Sequence, residues 1–119
     1  MTAPNMFIVY VSDAAASARF YADLFEMSPI FESPAFIAFD LGGGVQLALW
    51  SRGTTEFDVT RTSELCLTLG GGPGAIDERF GHWLGKGVTV VREPHDDVFG
   101  RTFLVADPDG NLIRVAPVD

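Results

Sequence analysis

The sequence predicts an α+β fold made of two βαβββ modules, and three observations carry that prediction. First, the order strand, helix, three strands occurs twice, each copy about 55 residues long, an internal repeat at the level of pattern. Second, the extended runs alternate so that one face of each module's first and last strand is wholly apolar. Third, the closing stretch Gly100 to Val118 holds two extended runs around Asp107-Pro108-Asp109-Gly110. There proline presets one backbone angle, aspartates bond nearby amides and glycine takes the positive-φ corner, which makes the stretch a hairpin.

Each element has its own justification. Phe7 to Val11 is a continuous apolar run rich in β-branched and aromatic residues, as in a buried strand. Ser12 or Asp13 then caps a helix that opens on three strong helix formers, Ala14, Ala15 and Ala16. Phe20 with Leu24, and Tyr21 with Phe25, fall at i,i+4 and give that helix an apolar face to about Phe25, with Pro29 stopping any continuation. Extended runs follow at Ile30 to Glu32, Phe36 to Leu41 and Val45 to Trp50, the last two joined by Gly42-Gly43-Gly44. Residues 52–62 are polar and lack helical period, and serve as a linker.

The second copy starts with the strand Glu64 to Leu69 and the glycine-rich loop Gly70 to Gly74, which lacks the spacing of a phosphate loop. A helix spans Ala75 to Lys86, with Ile76, Phe80, Trp83 and Leu84 on one face and Gly87 as its C-terminal cap. Val88 to Val91, Arg101 to Ala106 and Leu112 to Ala116 complete the set of strands, and His95 falls in a loop before Asp96-Asp97. The expectation is a single domain over residues 1–119, with module one at about 5–51 and module two at about 63–118.

Composition narrows the function classes. Sixteen acidic against eight basic residues leave a net charge of −8, and the cations are scattered, so the positive patch that nucleic acid or an anionic membrane requires is missing. No stretch approaches the roughly 20 apolar residues of a membrane span, and the N-terminus MTAPNM has no charged n-region. The single cysteine, Cys66, lies within an apolar strand pattern and reads as a small buried hydrophobe, which excludes a disulfide framework. A cytoplasmic, reducing location follows from that reading.

Separating odd from even strand positions yields two faces. One collects Phe7, Val9, Val11, Val45, Leu47, Leu49, Leu65, Leu67, Leu69, Ile113 and Val115, and is expected to pack beneath the helices. The other collects Met6, Ile8, Tyr10, Gln46, Ala48, Trp50, Glu64, Cys66, Thr68, Leu112, Arg114 and Ala116. Aromatic, small, polar and charged side chains together suit a ligand pocket, while alternation alone fits a solvent-facing surface or a subunit interface equally well.

The Tyr10-Val11-Ser12-Asp13 entry, Phe20-Tyr21 with Leu24-Phe25, and Gly100-Arg101-Thr102-Phe103 followed by DPDGNLIRV resemble the vicinal oxygen chelate superfamily, which includes glyoxalase, extradiol dioxygenases and bleomycin and fosfomycin resistance proteins. VYVSD, LWSRG and the closing VFGRTFLVADPDGNLIRVAPVD look particularly like its phenazine-antibiotic resistance members. The resemblance implies cupped mixed sheets with helices on the outer face, usually completed in a homodimer. It also implies four positions at which the enzymes hold a divalent metal with His or Glu. Those positions fall here on Met6, Ala48, Glu64 and Arg114, of which only Glu64 suits a hard cation. A catalytic metal site needs about three protein ligands and an open position, so neither a metal cofactor nor catalysis is expected.

The function so implied is binding and sequestration of a planar aromatic molecule, a phenazine-like antibiotic, in a homodimer cavity, conferring resistance. Trp50, Phe36, Met6, Gln46, Ala48, Glu64 and Arg114 would line it, with Phe31, Phe57 and Phe99 closing its mouth. Glu64 and Arg114 would either neutralise each other or leave Arg114 to hold a ligand carboxylate, because a buried charge is costly unless paired. Two other readings stay open, a metal-dependent enzyme of glyoxalase or dioxygenase type and a binder of a cationic bleomycin-type drug suited to the net charge of −8.

Overall fold

The computed structural model describes residues 2–51 and 63–118, so Phe57 and the linker at 52–62 lie outside the described residues. Two compact units emerge, Met1–Thr60 and Arg61–Asp119. Each runs strand, helix, three strands, as the repeat predicts.

In the first unit, β1 (Met6–Tyr10), β2 (Pro29–Glu32), β3 (Phe36–Gly42) and β4 (Val45–Trp50) form a sheet ordered β1-β4-β3-β2. β1 lies parallel to β4, as a helical crossover demands, and the other pairs are antiparallel. The crossover is α1 (Ala14–Phe25), capped by Asp13, whose carboxylate accepts the Ala16 amide at 3.1 Å. α1 ends before Pro29 is reached. Glu26 takes the left-handed conformation at φ 53 and donates its amide to the Ala22 carbonyl, and Pro29 opens β2. The turn between β3 and β4 places Gly42, Gly43 and Gly44 all at positive φ, which explains the glycine run.

The core of this unit lies between α1 and the sheet. Tyr21 and Leu24 bury against Ile37, Phe39, Leu47 and Leu49, all at most 4% exposed, and Tyr21 meets Phe20 edge-on and stacks on Phe25. The expectation that the whole apolar face is covered holds for Leu47 and Leu49 of β4, is met only in part at Val45, and fails for β1, where Phe7 is 52% exposed. α1 seats across β3 and β4, and the edge strand β1 projects beyond its shelter.

The second unit repeats the plan with β5 (Glu64–Leu69), α2 (Pro73–Gly85), β6 (Thr89–Asp97), β7 (Gly100–Ala106) and β8 (Leu112–Pro117), in sheet order β5-β8-β7-β6. Phe103 anchors its core, meeting the rings of Phe80 and Trp83 edge-on while Ile76, Val105, Ile113 and Val115 close around it. α2 starts at Pro73, two residues before the expected Ala75, because proline's fixed φ suits the first helical turn; positive φ is confined to Gly71 and Gly72. Gly87 takes φ 78 just past the helix, in keeping with its expected capping role.

Two further expectations are corrected here. β6 runs on to Asp97, so His95 is a strand residue paired with Thr102, not a loop residue. An edge strand with register shifts tolerates Pro94 and the charges around it, which hide its extended character in sequence. Cys66 is exposed, because it stands on edge strand β5 on the face that carries no helix.

Candidate functional site

Pairing registers decide which side chains share a face. In the first unit Met6 pairs with Gln46, Ile8 with Ala48, Tyr10 with Trp50, Phe36 with Trp50, Ala38 with Ala48 and Phe31 with Ala38. All therefore stand on the face away from α1. At one end of it four aromatic rings run in contact. Trp50 meets Tyr10 at 6.2 Å and 34°, Trp50 meets Phe36 at 6.2 Å and 74°, and Phe36 meets Phe31 at 6.3 Å and 65°.

Beside those rings Ala48 and Ala38 are buried beneath their neighbours, while Met6, Ile8 and Tyr10 are each about two-fifths exposed and Gln46 is half-buried. Tyr10 and Ala38 join the expected residues Trp50, Phe36, Phe31, Met6, Gln46 and Ala48. Tyr10's place was legible from its alternation with Met6 and Ile8; Ala38's required the β3–β4 register.

The second unit's face is ionic. Glu64 pairs with Leu112 and Cys66 with Arg114, so Glu64 and Arg114 are diagonal neighbours across the parallel β5–β8 pair. Arg114 Nε donates to Glu64 Oε1 and Nη2 to Oε2 at 3.5 Å, so the planar fork of the guanidinium grips both carboxylate oxygens. Arg114 Nη1 donates to Thr102 Oγ1 at 3.2 Å, and the hydroxyl, fully buried, donates in turn to the Val115 carbonyl at 2.7 Å. The Phe99 ring lies 5.8 Å from the guanidinium carbon, within cation–π range. Sequence reading missed Thr102, whose only signal was its even position in β7.

Cys66 sits between these charges. Partial burial and the Glu64 carboxylate push its thiol up from the ordinary cysteine value, against the opposing pull of Arg114.

The two units thus put different chemistry at matching places. Met6 and Ala48 hold in the first the diagonal that Glu64 and Arg114 hold in the second. These residues do not fit a divalent metal. Met6 offers a thioether, Ala48 a methyl group, and the Glu64 carboxylate is already held by a permanent cation. Among the described residues no group of three or more His, Cys, Asp or Glu comes together, and no helix is long and apolar enough to cross a membrane.

The chain is 40% identical over 120 residues to the phenazine antibiotic resistance protein EhpR of Enterobacter agglomerans, a match covering 98% of this chain and 92% of that one. It is 36% identical to protein ATC0852 of Agrobacterium tumefaciens, whose solution NMR structure superposes with a TM-score of 0.80 over 100% of this chain and 99% of that one. A glyoxalase-related enzyme from Fulvimarina pelagi, 23% identical, shares the fold with a TM-score of 0.76 over 99% of this chain and 89% of that one. Residues 3–115 match the family profile described as Glyoxalase/Bleomycin resistance protein/Dioxygenase superfamily, and the chain belongs to that superfamily.

Proposed function

We propose that this protein binds and sequesters a planar aromatic small molecule of phenazine type without transforming it, and thereby confers resistance to such an antibiotic. The observation that carries the reading is the aromatic row Tyr10, Trp50, Phe36 and Phe31 on the face away from α1. A flat ring laid along such a row gains offset-stacked and edge-to-face contacts together with apolar burial. The 40% identity with a phenazine antibiotic resistance protein supports the same ligand class. Absence of catalysis follows from the donor set, since Met6, Ala48 and a Glu64 committed to Arg114 leave nothing to activate water or polarise a carbonyl.

In the finer form of the proposal the protein acts as a homodimer, with Met6 and Gln46 flanking the ligand on the first unit's face and Phe31 at the end of the aromatic row. Titration with unsubstituted phenazine, read by tryptophan emission, tests the reading. Saturable quenching that disappears in Trp50→Ala supports it. Unchanged emission at saturating phenazine, or quenching that persists in Trp50→Ala, which retains Trp83, sinks it.

A further inference from the structure

α1 and the edge strand β2 leave a groove of about 220 Å³ between them in the first unit. Its α1 wall is low, because Ala15, Ala18 and Ala22 recur at i, i+3 and i+7 and end in methyl groups, and buried Ile37 lies between the walls. Arg19 stands on the α1 wall and Glu32 on the β2 wall, both exposed. Neither enters an ion pair among the described residues. β2 is the outermost strand of its sheet, so one edge of its backbone is unpaired, and its Ile30 is 59% exposed.

A groove with one uncommitted charge of each sign on opposite walls is complementary to a copy of itself turned by half a revolution. A small molecule seated there would leave both charges in water, where an ion pair contributes little. A second chain covers the groove, the strand edge and the charges together.

We propose, resting on the homodimer named above, that the groove between α1 and β2 is the surface through which two copies of this chain associate. The interface is isologous, with a two-fold axis that sets Arg19 of each copy against Glu32 of the other and brings the apolar walls together. Two reciprocal pairs also fix the register, because a slipped arrangement brings like charges together. Two chains of net charge −8 repel at long range, so a face that seats each glutamate on an arginine is favoured over one that sets carboxylates against each other.

Exchange of the two charges, followed by sedimentation equilibrium on the full chain, tests the surface. Arg19→Glu and Glu32→Arg, each alone, oppose like charges and are expected to weaken the dimer by about tenfold or more. The double variant Arg19→Glu/Glu32→Arg rebuilds both pairs with their signs exchanged and is expected to return to within about threefold of wild type. An equimolar mixture of the two single variants is also complementary at both pairs, and dimers formed on mixing show that each variant is folded.

Single variants that dimerise as tightly as wild type, or a double variant and a mixture that both stay monomeric, overturn this surface alone. A monomeric wild type overturns the surface and the homodimer together, while phenazine binding, read separately by tryptophan emission, stands or falls on its own titration.

Discussion

At the scale of single residues, the first unit's face offers rings and the second an ion pair, and each makes a separate forecast. Trp50 touches two other rings, so Trp50→Ala removes the centre of the row and is expected to weaken phenazine binding by about tenfold or more, measured by equilibrium dialysis. Cys66, the only cysteine, reports on the charges beside it. Because partial burial and then Glu64 raise its thiol while Arg114 lowers it, Glu64→Gln moves the pKa down and Arg114→Gln moves it up. Only the thiolate reacts, so at pH 8 alkylation by iodoacetamide is expected to be faster than wild type in the first variant and slower in the second. The reverse order would show that the Glu64–Arg114 pair does not govern this face.

At the scale of elements, the turn after β7 and the start of α1 show side chains doing the work of backbone partners. Asp107, only 4% exposed, accepts the amides of Asp109 and Asn111 on one oxygen and the Asn111 side-chain amide on the other, at 2.8–2.9 Å. Asp107→Ala strands those donors, and urea unfolding is expected to show a loss of about 2–3 kcal/mol. Asp13→Ala, at an exposed cap with a single bond, is expected to lose only about 1 kcal/mol. Gly100 at φ +117 brings a would-be Cβ within 3.0 Å of Pro117, so Gly100→Ala meets both backbone strain and a steric clash; a melting temperature equal to wild type would contradict that account.

The same elements mark how far local reading extends. β4 and β5 run between the expected residues because their alternation is clean and turn residues bound them. The expected strand ends at Val91, ahead of the charges and proline of Arg92, Glu93 and Pro94, and only an edge position with register shifts makes those residues part of β6.

At the scale of the whole molecule, two units of one plan carry different side chains at matching positions, so a repeated plan does not bring repeated chemistry with it. Because Met6, Ala48 and the paired Glu64 do not suit a divalent metal, protein purified without chelator is expected to contain no stoichiometric Zn, Ni, Fe or Mn by elemental analysis. Near-stoichiometric metal would restore the enzymatic reading. Sedimentation at micromolar concentration is expected to give twice the chain mass, in line with the proposed homodimer.

The sequence by itself determined the order of elements, the hairpin chemistry at Asp107 to Gly110 and the odd–even sorting of strand residues, because turn preferences and side-chain alternation are local and repeat along the chain. It also placed Glu64 and Arg114 on one type of face. Only the tertiary structure decided that the two meet, that buried Thr102 steadies the arginine, that Cys66 is exposed and that Tyr10 extends the aromatic row. Those facts depend on which strands become neighbours and in what register, a choice made by packing between residues as far apart as Glu64 and Arg114, which no local pattern records.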